Sequence, residues 1–131
     1  IRGAEVEVAV MGNNNPIASI CGEIDSGAEF YDYEAKYVTD TSVAYIPARI
    51  PVDVEEYVRE QAVKIYSAIG CQGLSRVDFF VKKDGEVVFN EINTIPGFTS
   101  ISMYPKLFEA SGVEYSDLLD QLLALAMEAE Q

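Results

Sequence analysis

Four polar side chains in two neighbouring segments are spaced so that they can meet. They are Arg76 and Asp78 in the first segment and Glu91 and Asn93 in the second. Between the segments, Asp84-Gly85 is a strong signal for a two-residue β-hairpin turn. In the register that this turn sets, Asp78 lies directly opposite Glu91 and Arg76 directly opposite Asn93. The two-residue period of a strand then places all four side chains on one face of the hairpin.

This pattern is typical of a site for a hard divalent cation. Carboxylates that face each other across two strands have Cβ atoms about 4.5–5.5 Å apart and repel unless positive charge lies between them. Mg²⁺ takes carboxylate and amide oxygens, commonly together with substrate phosphates. Asp78, Glu91 and Asn93 therefore predict half of a metal and nucleotide site, in which Arg76 would stabilise developing negative charge.

A solvated strand face that carries an Arg–carboxylate pair is the alternative, and spacing alone leaves it open. The loop after the second strand favours the site. Its Pro96-Gly97 step allows backbone N–H groups to approach a ligand closely, because glycine has no side chain to block the approach.

Composition limits the kinds of chemistry that are available. The 131 residues carry 9 basic and 22 acidic side chains, a formal charge of −13, and 49% of them are hydrophobic. We expect one globular domain with too few Lys and Arg to follow a nucleic-acid backbone or an anionic membrane surface. The sequence has no histidine, which excludes Ser–His and Cys–His nucleophiles and the usual zinc sites.

The cysteines and the apolar segments of the sequence indicate the redox state and the cellular compartment. Cys21 and Cys71 are too few for a disulfide framework and are expected to be reduced thiols. No apolar run approaches the roughly 20 residues of a membrane-spanning helix, and the first residues do not resemble a signal peptide. We therefore expect a cytoplasmic protein. Because the sequence lacks an initiator Met and opens directly into an alternating segment, we also expect it to belong to a longer polypeptide.

Strands must position the polar side chains. Alternation of polar and apolar residues predicts strands at 5–11, 17–23, 74–82 and 86–92. If Asp84-Gly85 closes a two-residue turn between the last two strands, Lys83 lies opposite Glu86 and every pair of facing residue numbers sums to 169. A symmetric four-residue loop gives the same register. Residues 34–51 show no sustained period and predict a long ordered loop over a site.

Three helices are predicted from apolar residues at helical spacing. The first covers about 53–69, begins with a capping box at Asp53-Val54-Glu55-Glu56 and ends at Gly70. The second covers about 104–110, and the third begins after Ser116 as N-cap. The third helix is predicted to bury Leu118, Leu119, Leu122, Leu123 and Ala126. Together the elements predict one α+β domain of mostly antiparallel sheet, with helices packed on one face.

Three segments form longer motifs. They are Phe30-Tyr31-Asp32-Tyr33-Glu34-Ala35-Lys36-Tyr37, Arg76-Val77-Asp78 and Asn90-Glu91-Ile92-Asn93-Thr94-Ile95-Pro96-Gly97-Phe98-Thr99. In this order they resemble the C-terminal part of the D-alanine–D-alanine ligases, a family of the ATP-grasp superfamily. The resemblance extends from Glu5 to Leu107. It implies that residues 1–131 form a C-terminal ATP-grasp domain.

The resemblance also implies a site with two Mg²⁺ ions, which Mn²⁺ could replace, and with ATP as a substrate. Asp78, Glu91 and Asn93 match the metal ligands of the family, and Glu91 would bridge both ions. Arg76 and the backbone N–H of Gly97 match the groups that steady a tetrahedral intermediate.

Five further residues match substrate-binding positions of the family. Ser102 matches a serine that holds the carboxylate of the second D-alanine, and it could also be a helix N-cap. Lys36 matches a residue near the terminal phosphate, and Tyr37 one whose hydrogen bonds order a closing loop. Glu5 matches a carboxylate that accepts from the ATP ribose. Phe80 falls where an apolar side chain packs on adenine, and a core position is its alternative.

The activity that the resemblance implies is ATP-dependent ligation of two D-alanines through an acyl phosphate, for the peptidoglycan precursor of the cell wall. The family adds N-terminal and central domains to this part of the site. We therefore expect the chain to be inactive alone and the complete enzyme to be a homodimer. Two alternatives stay open: a D-alanine–D-serine ligase of the vancomycin-resistance type, and a non-catalytic acidic metal-binding module. Met103 after Ser102 favours the D-alanine branch.

Overall fold

Seven strands and three helices form the part of the chain that the computed structural model describes, residues 3–25, 37–38, 43–98 and 102–129. The strands are β1 (Gly3–Met11), β2 (Ile17–Ala18), β3 (Gly22–Asp25), β4 (Tyr37–Val38), β5 (Val43–Tyr45), β6 (Leu74–Lys82) and β7 (Val87–Asn93). The helices are α1 (Val52–Ile69), between β5 and β6, and α2 (Met103–Ala110) and α3 (Tyr115–Ala129), after β7. Among these residues, no helix has both the length and the apolar character needed to cross a membrane.

The strands form one sheet in the spatial order β4-β5-β3-β1-β6-β7, with β2 beside β1. Every strand pair within the described ranges is antiparallel. β1 lies at the centre and pairs with β6 along its whole length, which places Glu7 opposite Asp78 and Ala9 opposite Arg76. The two strands thus join residues from opposite halves of the chain.

Helices cover both faces of β1. Val6, Val8 and Val10 are buried together with the α1 residues Val58, Ala62 and Tyr66. Ala9 and Met11 point to the other face and pack with Tyr104 and Leu107 of α2 and Leu118 of α3. The α+β class with an antiparallel sheet is confirmed. The helices, however, lie on two faces rather than one, because residues 8–11 are apolar without alternation and each of them is buried.

The first predicted helix is confirmed as α1, and its end is the predicted one. Gly70 adopts a left-handed conformation with φ +81°, and the N–H groups of Gly70 and Cys71 donate to the last turn. The predicted capping box is wrong. Pro51 occupies the N-cap position without a side-chain capping bond. Asp53 lies inside the first turn, where its negative charge interacts favourably with the positive end of the helix dipole.

The third predicted helix begins two residues before the prediction. The Leu118 N–H donates to the Glu114 carbonyl at 2.8 Å, so Ser116 lies inside the helix and is not its N-cap. Leu118 is buried and Leu122 half-buried, whereas Leu119, Leu123 and Ala126 are exposed, contrary to the prediction. The helix buries a narrow stripe because only its Leu118, Leu122 and Leu125 side reaches the α2 cluster.

The predicted strand at 17–23 is divided into β2 and β3. At the break, Ser19 Oγ accepts the Ala9 N–H at 3.0 Å and donates to the Ile20 carbonyl at 2.8 Å. The side chain therefore takes a backbone donor that a continuous strand would have bonded. β3 then begins at Gly22, which lies closely under α2. In the predicted loop at 34–51, β4 and β5 form short strands, while 34–36 and 39–42 lie outside the described residues.

The hairpin turn between β6 and β7 is one residue longer than predicted. Lys82 N–H donates to the Glu86 carbonyl at 2.8 Å, and Gly85 N–H donates to the Lys82 carbonyl at 2.9 Å. Gly85 has φ +91°, which glycine adopts readily and which suits the last position of a three-residue loop. Lys83 therefore lies in the loop and does not face Glu86.

A β-bulge in β7 compensates for the longer turn. Phe79 pairs with Phe89 and Asp78 with Glu91, so Asn90 is an extra residue between the two pairs. Facing numbers sum to 168 near the turn and to 169 beyond the bulge. The two predicted pairs that concern the site are confirmed: Asp78 with Glu91 and Arg76 with Asn93.

Candidate active site

The predicted site lies on the sheet face that α2 and α3 cover in part. On β1, Ala9 and Met11 lie beneath these helices, and Glu7 and Glu5 continue the same face beyond them. Glu7 is half-buried and Glu5 is exposed. The helices therefore cover one end of the face and leave its other end accessible.

Three carboxylates form a row across this face. Glu7 of β1 pairs in register with Asp78 of β6, which pairs in register with Glu91 of β7. Exposure differs along the row, because Asp78 is buried and Glu91, on the edge strand, is exposed. Gly22 stands next to Glu7 on β3, so the row ends where α2 packs on the sheet.

Arg76 lies in the adjacent row and binds Asp78 through two parallel hydrogen bonds. Nε donates to Oδ1 at 2.9 Å, and Nη2 donates to Oδ2 at 3.0 Å. The hydrogen bond to Asp78 raises the pKa of Arg76, and partial burial acts against that rise. The Arg–carboxylate pair of the alternative interpretation is thus present, but Asp78 is buried and this part of the face is not solvated.

Glu7 is the site residue to which sequence reasoning assigned no role. Its Oε1 lies 3.3 Å from Arg76 Nε, close enough for an ion pair but without hydrogen-bond geometry, and this buried atom has no hydrogen-bond partner among the described residues. Burial raises the pKa of Glu7 to about 7, although the charge of Arg76 opposes the rise. The outward alternation of Glu5 and Glu7 was the only sequence signal, and it did not reveal which strand Glu7 faces.

The loop that follows β7 is held at both of its ends. Asn93 Oδ1 accepts the Ile95 N–H at 3.0 Å, which closes an Asx turn at the end of β7. Pro96 is buried and Gly97 is exposed. Phe98 then anchors the loop, because its ring centroid lies 5.6 Å from that of Tyr104 in α2 and 5.7 Å from that of Tyr115 in α3.

The loop brings Gly97 against Ser102. A methyl group placed on Gly97 would lie 3.4 Å from Ser102 Oγ. Ser102 occupies the N-cap position of α2 with an extended backbone, φ −76° and ψ 156°, and its side chain makes no capping hydrogen bond to the helix. The position of Ser102 therefore agrees with the N-cap alternative, although its hydroxyl does not cap the helix.

Glu5 and Phe80 face each other one row away from Glu7 and Asp78. Phe80 is half-buried and belongs to neither of the two apolar clusters described for the chain, so the alternative of a core position is not supported. Lys36 lies outside the described residues. The backbone of Tyr37 belongs to β4, at the sheet edge away from β7, where it pairs with Ala44.

The donor set can be compared with the needs of a divalent cation. Asp78, Glu91 and Asn93 offer only oxygen atoms, which suits Mg²⁺. In the described part of the chain, no group of three or more His, Cys, Asp or Glu side chains is arranged to hold a metal ion. In this arrangement Arg76 donates hydrogen bonds to both oxygens of Asp78. The residues fit a cation once Arg76 releases at least one of these oxygens.

The fold is that of an ATP-grasp protein, because solved D-alanine ligases of that fold superpose on nearly the whole of this chain. A family model described as the D-ala D-ala ligase C-terminus matches residues 1–124. The chain therefore belongs to the D-alanine–D-alanine ligase family, and it corresponds to the C-terminal part of that family.

Relatives and solved structures agree with this assignment. The chain is 58% identical over 132 residues to the D-alanine–D-alanine ligase of Chlorobium phaeovibrioides, and 53% identical over 129 residues to D-alanine–D-alanine ligase A of Salmonella typhimurium. Among solved structures, it resembles the VanG D-Ala:D-Ser ligase from Enterococcus faecalis, with a TM-score of 0.83 and 47% identity over 95% of this chain. The D-alanine–D-alanine ligase from Coxiella burnetii has the same TM-score of 0.83, with 40% identity over 98% of this chain.

The chain spans about a third of the length of these proteins. It covers 37% of the Chlorobium ligase and 35% of the Salmonella ligase. The corresponding shares of the two solved structures are 36% and 33%.

Proposed function

We propose that this chain supplies the metal-, nucleotide- and acceptor-binding part of a ligase that joins two D-alanines at the expense of ATP, for the peptidoglycan precursor of the cell wall. One observation carries the proposal. The hairpin register sets Asp78 against Glu91 and Arg76 against Asn93 on a single face of the sheet. Family membership adds the reaction type, since the relatives named above are D-alanine–D-alanine ligases.

The proposed reaction has two steps that balance without a redox partner. The carboxylate of the first D-alanine attacks the γ-phosphorus of ATP, and ADP leaves as the acyl phosphate forms. The amine of the second D-alanine then attacks the acyl carbon, and inorganic phosphate leaves with its bonding electron pair. The amine proton passes to a base or to solvent, and D-alanyl-D-alanine results.

Asp78, Glu91 and Asn93 would hold two divalent cations, with Glu91 shared between them. Bound Mg²⁺ neutralises charge on the transferred phosphoryl group. The side chains themselves determine where the ATP phosphates lie relative to the sheet. Their placement on two paired strands gives a rigid frame, because a strand positions a side chain more accurately than a loop does.

Arg76 and Gly97 would stabilise the oxyanion of the second step. Arg76 lies beside the carboxylate row and keeps its positive charge, since its hydrogen bond to Asp78 raises the pKa of Arg76 further. The exposed backbone at Gly97 has no side chain between its N–H group and a ligand. Two such donors in a site that excludes water account for a large share of acyl-transfer catalysis.

Ser102 would bind the carboxylate of the second D-alanine. Its hydroxyl is adjacent to Gly97 and stands at the N-terminus of α2, where helix N–H groups and the helix dipole favour an anion. Glu5 would accept a hydrogen bond from the ATP ribose, and the half-buried Phe80 opposite it would pack on adenine. Lys36 and Tyr37 would belong to a loop that closes over the phosphates.

The test uses the full-length polypeptide that carries this chain. The protein is given Mg-ATP with equal amounts of D-alanine and D-serine, and the products are identified by mass spectrometry. D-alanyl-D-alanine supports the proposal. Folded protein that forms no dipeptide and releases no phosphate contradicts it. The 131-residue chain alone is expected to be inactive, and turnover by that chain would show that the other parts of the relatives are dispensable.

Variants of the row test the assigned residues. Asp78→Asn and Glu91→Gln preserve size and remove one charge each, and we expect each to abolish Mg²⁺-dependent nucleotide binding. Glu60→Gln is the matched control, because it removes one carboxylate from the exposed side of α1, where Glu60 pairs with Lys64 at 3.3 Å.

We also propose that the complete enzyme is a homodimer. Light scattering of the same full-length protein tests this.

A D-alanine–D-serine ligase is the second candidate, and the likeness to the VanG structure favours it. The same product analysis separates the two candidates. D-alanyl-D-serine as the main product would retain every assigned residue and change only the acceptor that Ser102 binds.

A further inference from the structure

Arg76 and a cation compete for the same carboxylate. Asp78 is proposed above as a metal ligand, yet both of its oxygens accept hydrogen bonds from Arg76, at 2.9 and 3.0 Å. An oxygen that accepts a short charge-assisted bond is a poor ligand, because the guanidinium and the cation repel each other at that distance. Cation binding therefore requires Arg76 to give up at least one of its two bonds to Asp78.

Release would be costly without another partner. The Arg76 side chain is 20% exposed, and a partly buried guanidinium that loses its carboxylate is left with incomplete solvation. Asn93 faces Arg76 across the hairpin, but it is neutral and is itself a proposed ligand of the cation. A replacement acceptor must be a carboxylate on the same face of the sheet, within reach of Nε.

Glu7 has these properties. It belongs to the neighbouring strand, its side chain is 15% exposed, and its Oε1 lies 3.3 Å from Arg76 Nε. That oxygen is buried and has no hydrogen-bond partner in the part of the chain that the structure describes. A buried carboxylate oxygen without a partner costs free energy, and a hydrogen bond from Arg76 Nε would remove that cost.

We infer that Glu7 is a positioning residue that receives the guanidinium of Arg76 when a divalent cation occupies Asp78. The inference rests on the proposed function, and it adds a residue to which no role has been assigned. In this arrangement Arg76 turns from Asp78 to Glu7 and remains on the reaction face, while the freed Asp78 oxygens bind the cation. Glu7 thus stabilises the metal-bound state through Arg76 and does not contact the cation.

A double-mutant cycle tests this role by Mn²⁺ binding, which is independent of turnover. Mn²⁺ affinity is measured by electron paramagnetic resonance in the full-length protein with ADP, for the natural protein, Glu7→Gln, Arg76→Gln and the double variant. We expect Glu7→Gln to weaken Mn²⁺ binding about 10-fold, as outer-shell partners of metal sites commonly do. In the Arg76→Gln background the same substitution should change the affinity by less than about 2-fold, because no guanidinium needs a new partner.

The controls separate the possible failures. Glu60→Gln should leave Mn²⁺ affinity unchanged, and circular dichroism of each variant confirms folding. An equal loss on Glu7→Gln in both backgrounds would overturn the inference, because Glu7 would then act on the cation directly. No loss in either background would overturn it as well. If instead the natural protein with ADP binds no Mn²⁺, the proposed function itself fails, and this inference with it.

Discussion

Arg76 and Asp78 lie two residues apart on β6, and the guanidinium holds both oxygens of the carboxylate. Without this pair, relief of repulsion across the hairpin would make removal of the Asp78 charge slightly stabilising. With the pair present, removal of the Asp78 charge is instead expected to be destabilising. We expect Asp78→Asn to lower the free energy of unfolding by about 2 kcal/mol, because a charge-assisted bond is lost and Arg76 keeps its charge.

Urea unfolding at pH 7 measures this loss. Glu91→Gln is the comparison, because Glu91 is exposed on the edge strand and should change stability by less than about 0.5 kcal/mol. Equal effects of the two substitutions would contradict the central place of the Arg76 and Asp78 pair.

The pH dependence of stability should report Glu7. Burial raises the pKa of Glu7 from 4.5 to about 7, so the folded state favours the protonated form. The contribution of Glu7 to the free energy of unfolding is therefore fully present below about pH 4.5 and is lost as the pH rises through 7. The loss is about 3 kcal/mol in order of magnitude. In Glu7→Gln the fall in unfolding free energy between pH 4.5 and 8 should be smaller, and an unchanged profile would exclude Glu7 as its cause.

Ser19 should stabilise the break between β2 and β3. Ser19→Ala leaves the buried Ala9 N–H without the acceptor that now lies 3.0 Å away, so we expect a loss of about 1–3 kcal/mol. Ser116→Ala, at an exposed position in the first turn of α3, is the control and should have little effect. Hydrogen exchange at Ala9 measures the local consequence, and unchanged protection there would refute the role of the hydroxyl.

Gly22 should be intolerant of a side chain because α2 lies directly above it. A methyl group at Gly22 would stand 2.6 Å from both Leu107 Cδ2 and Met103 Cε. We expect Gly22→Ala to cost about 1–3 kcal/mol through overpacking. Met103→Ala removes one of the two contacts, so the double variant should be more stable than the sum of the single effects. Simple additivity in thermal unfolding would show that the Met103 side chain is not the obstacle.

The two thiols should differ in reactivity. Burial raises the pKa of the Cys21 thiol to about 12, and the charge of Glu55 adds to the rise. Cys71 is half-buried. With iodoacetamide at pH 8, mass spectrometry should find Cys71 alkylated well before Cys21, and equal labelling once the protein is unfolded in urea. Equal rates in the folded protein would contradict the burial of Cys21.

Local patterns were sufficient for most of the elements. The helix that ends at Gly70 and the strand at Leu74–Lys82 were predictable, because a left-handed glycine and a two-residue period are properties of short segments. The predicted N-cap residues were wrong because a short segment does not determine where its helix begins. Asp53 and Ser116 have the right chemistry, but tertiary packing sets where each helix begins.

The hairpin shows how two facing residue pairs can be predicted correctly although the turn that joins their strands is not. Asp84-Gly85 located the turn, and the sequence offered no means of seeing that the loop has three residues or that Asn90 forms a bulge. The two errors of one residue cancel before Asp78. Glu7 could not be placed at all, since its partner depends on the pairing of β1 with β6, which no local pattern encodes.

That pairing has a consequence during synthesis. β1 precedes β6 along the chain, and β6 is made only after β3, β5 and α1. Until then one edge of β1, a strand whose second half is apolar, lacks its partner. Such edges promote aggregation, and charged side chains on them oppose it. Glu5 and Glu7 stand on that strand, so we expect their charges also to oppose aggregation of the unfinished protein.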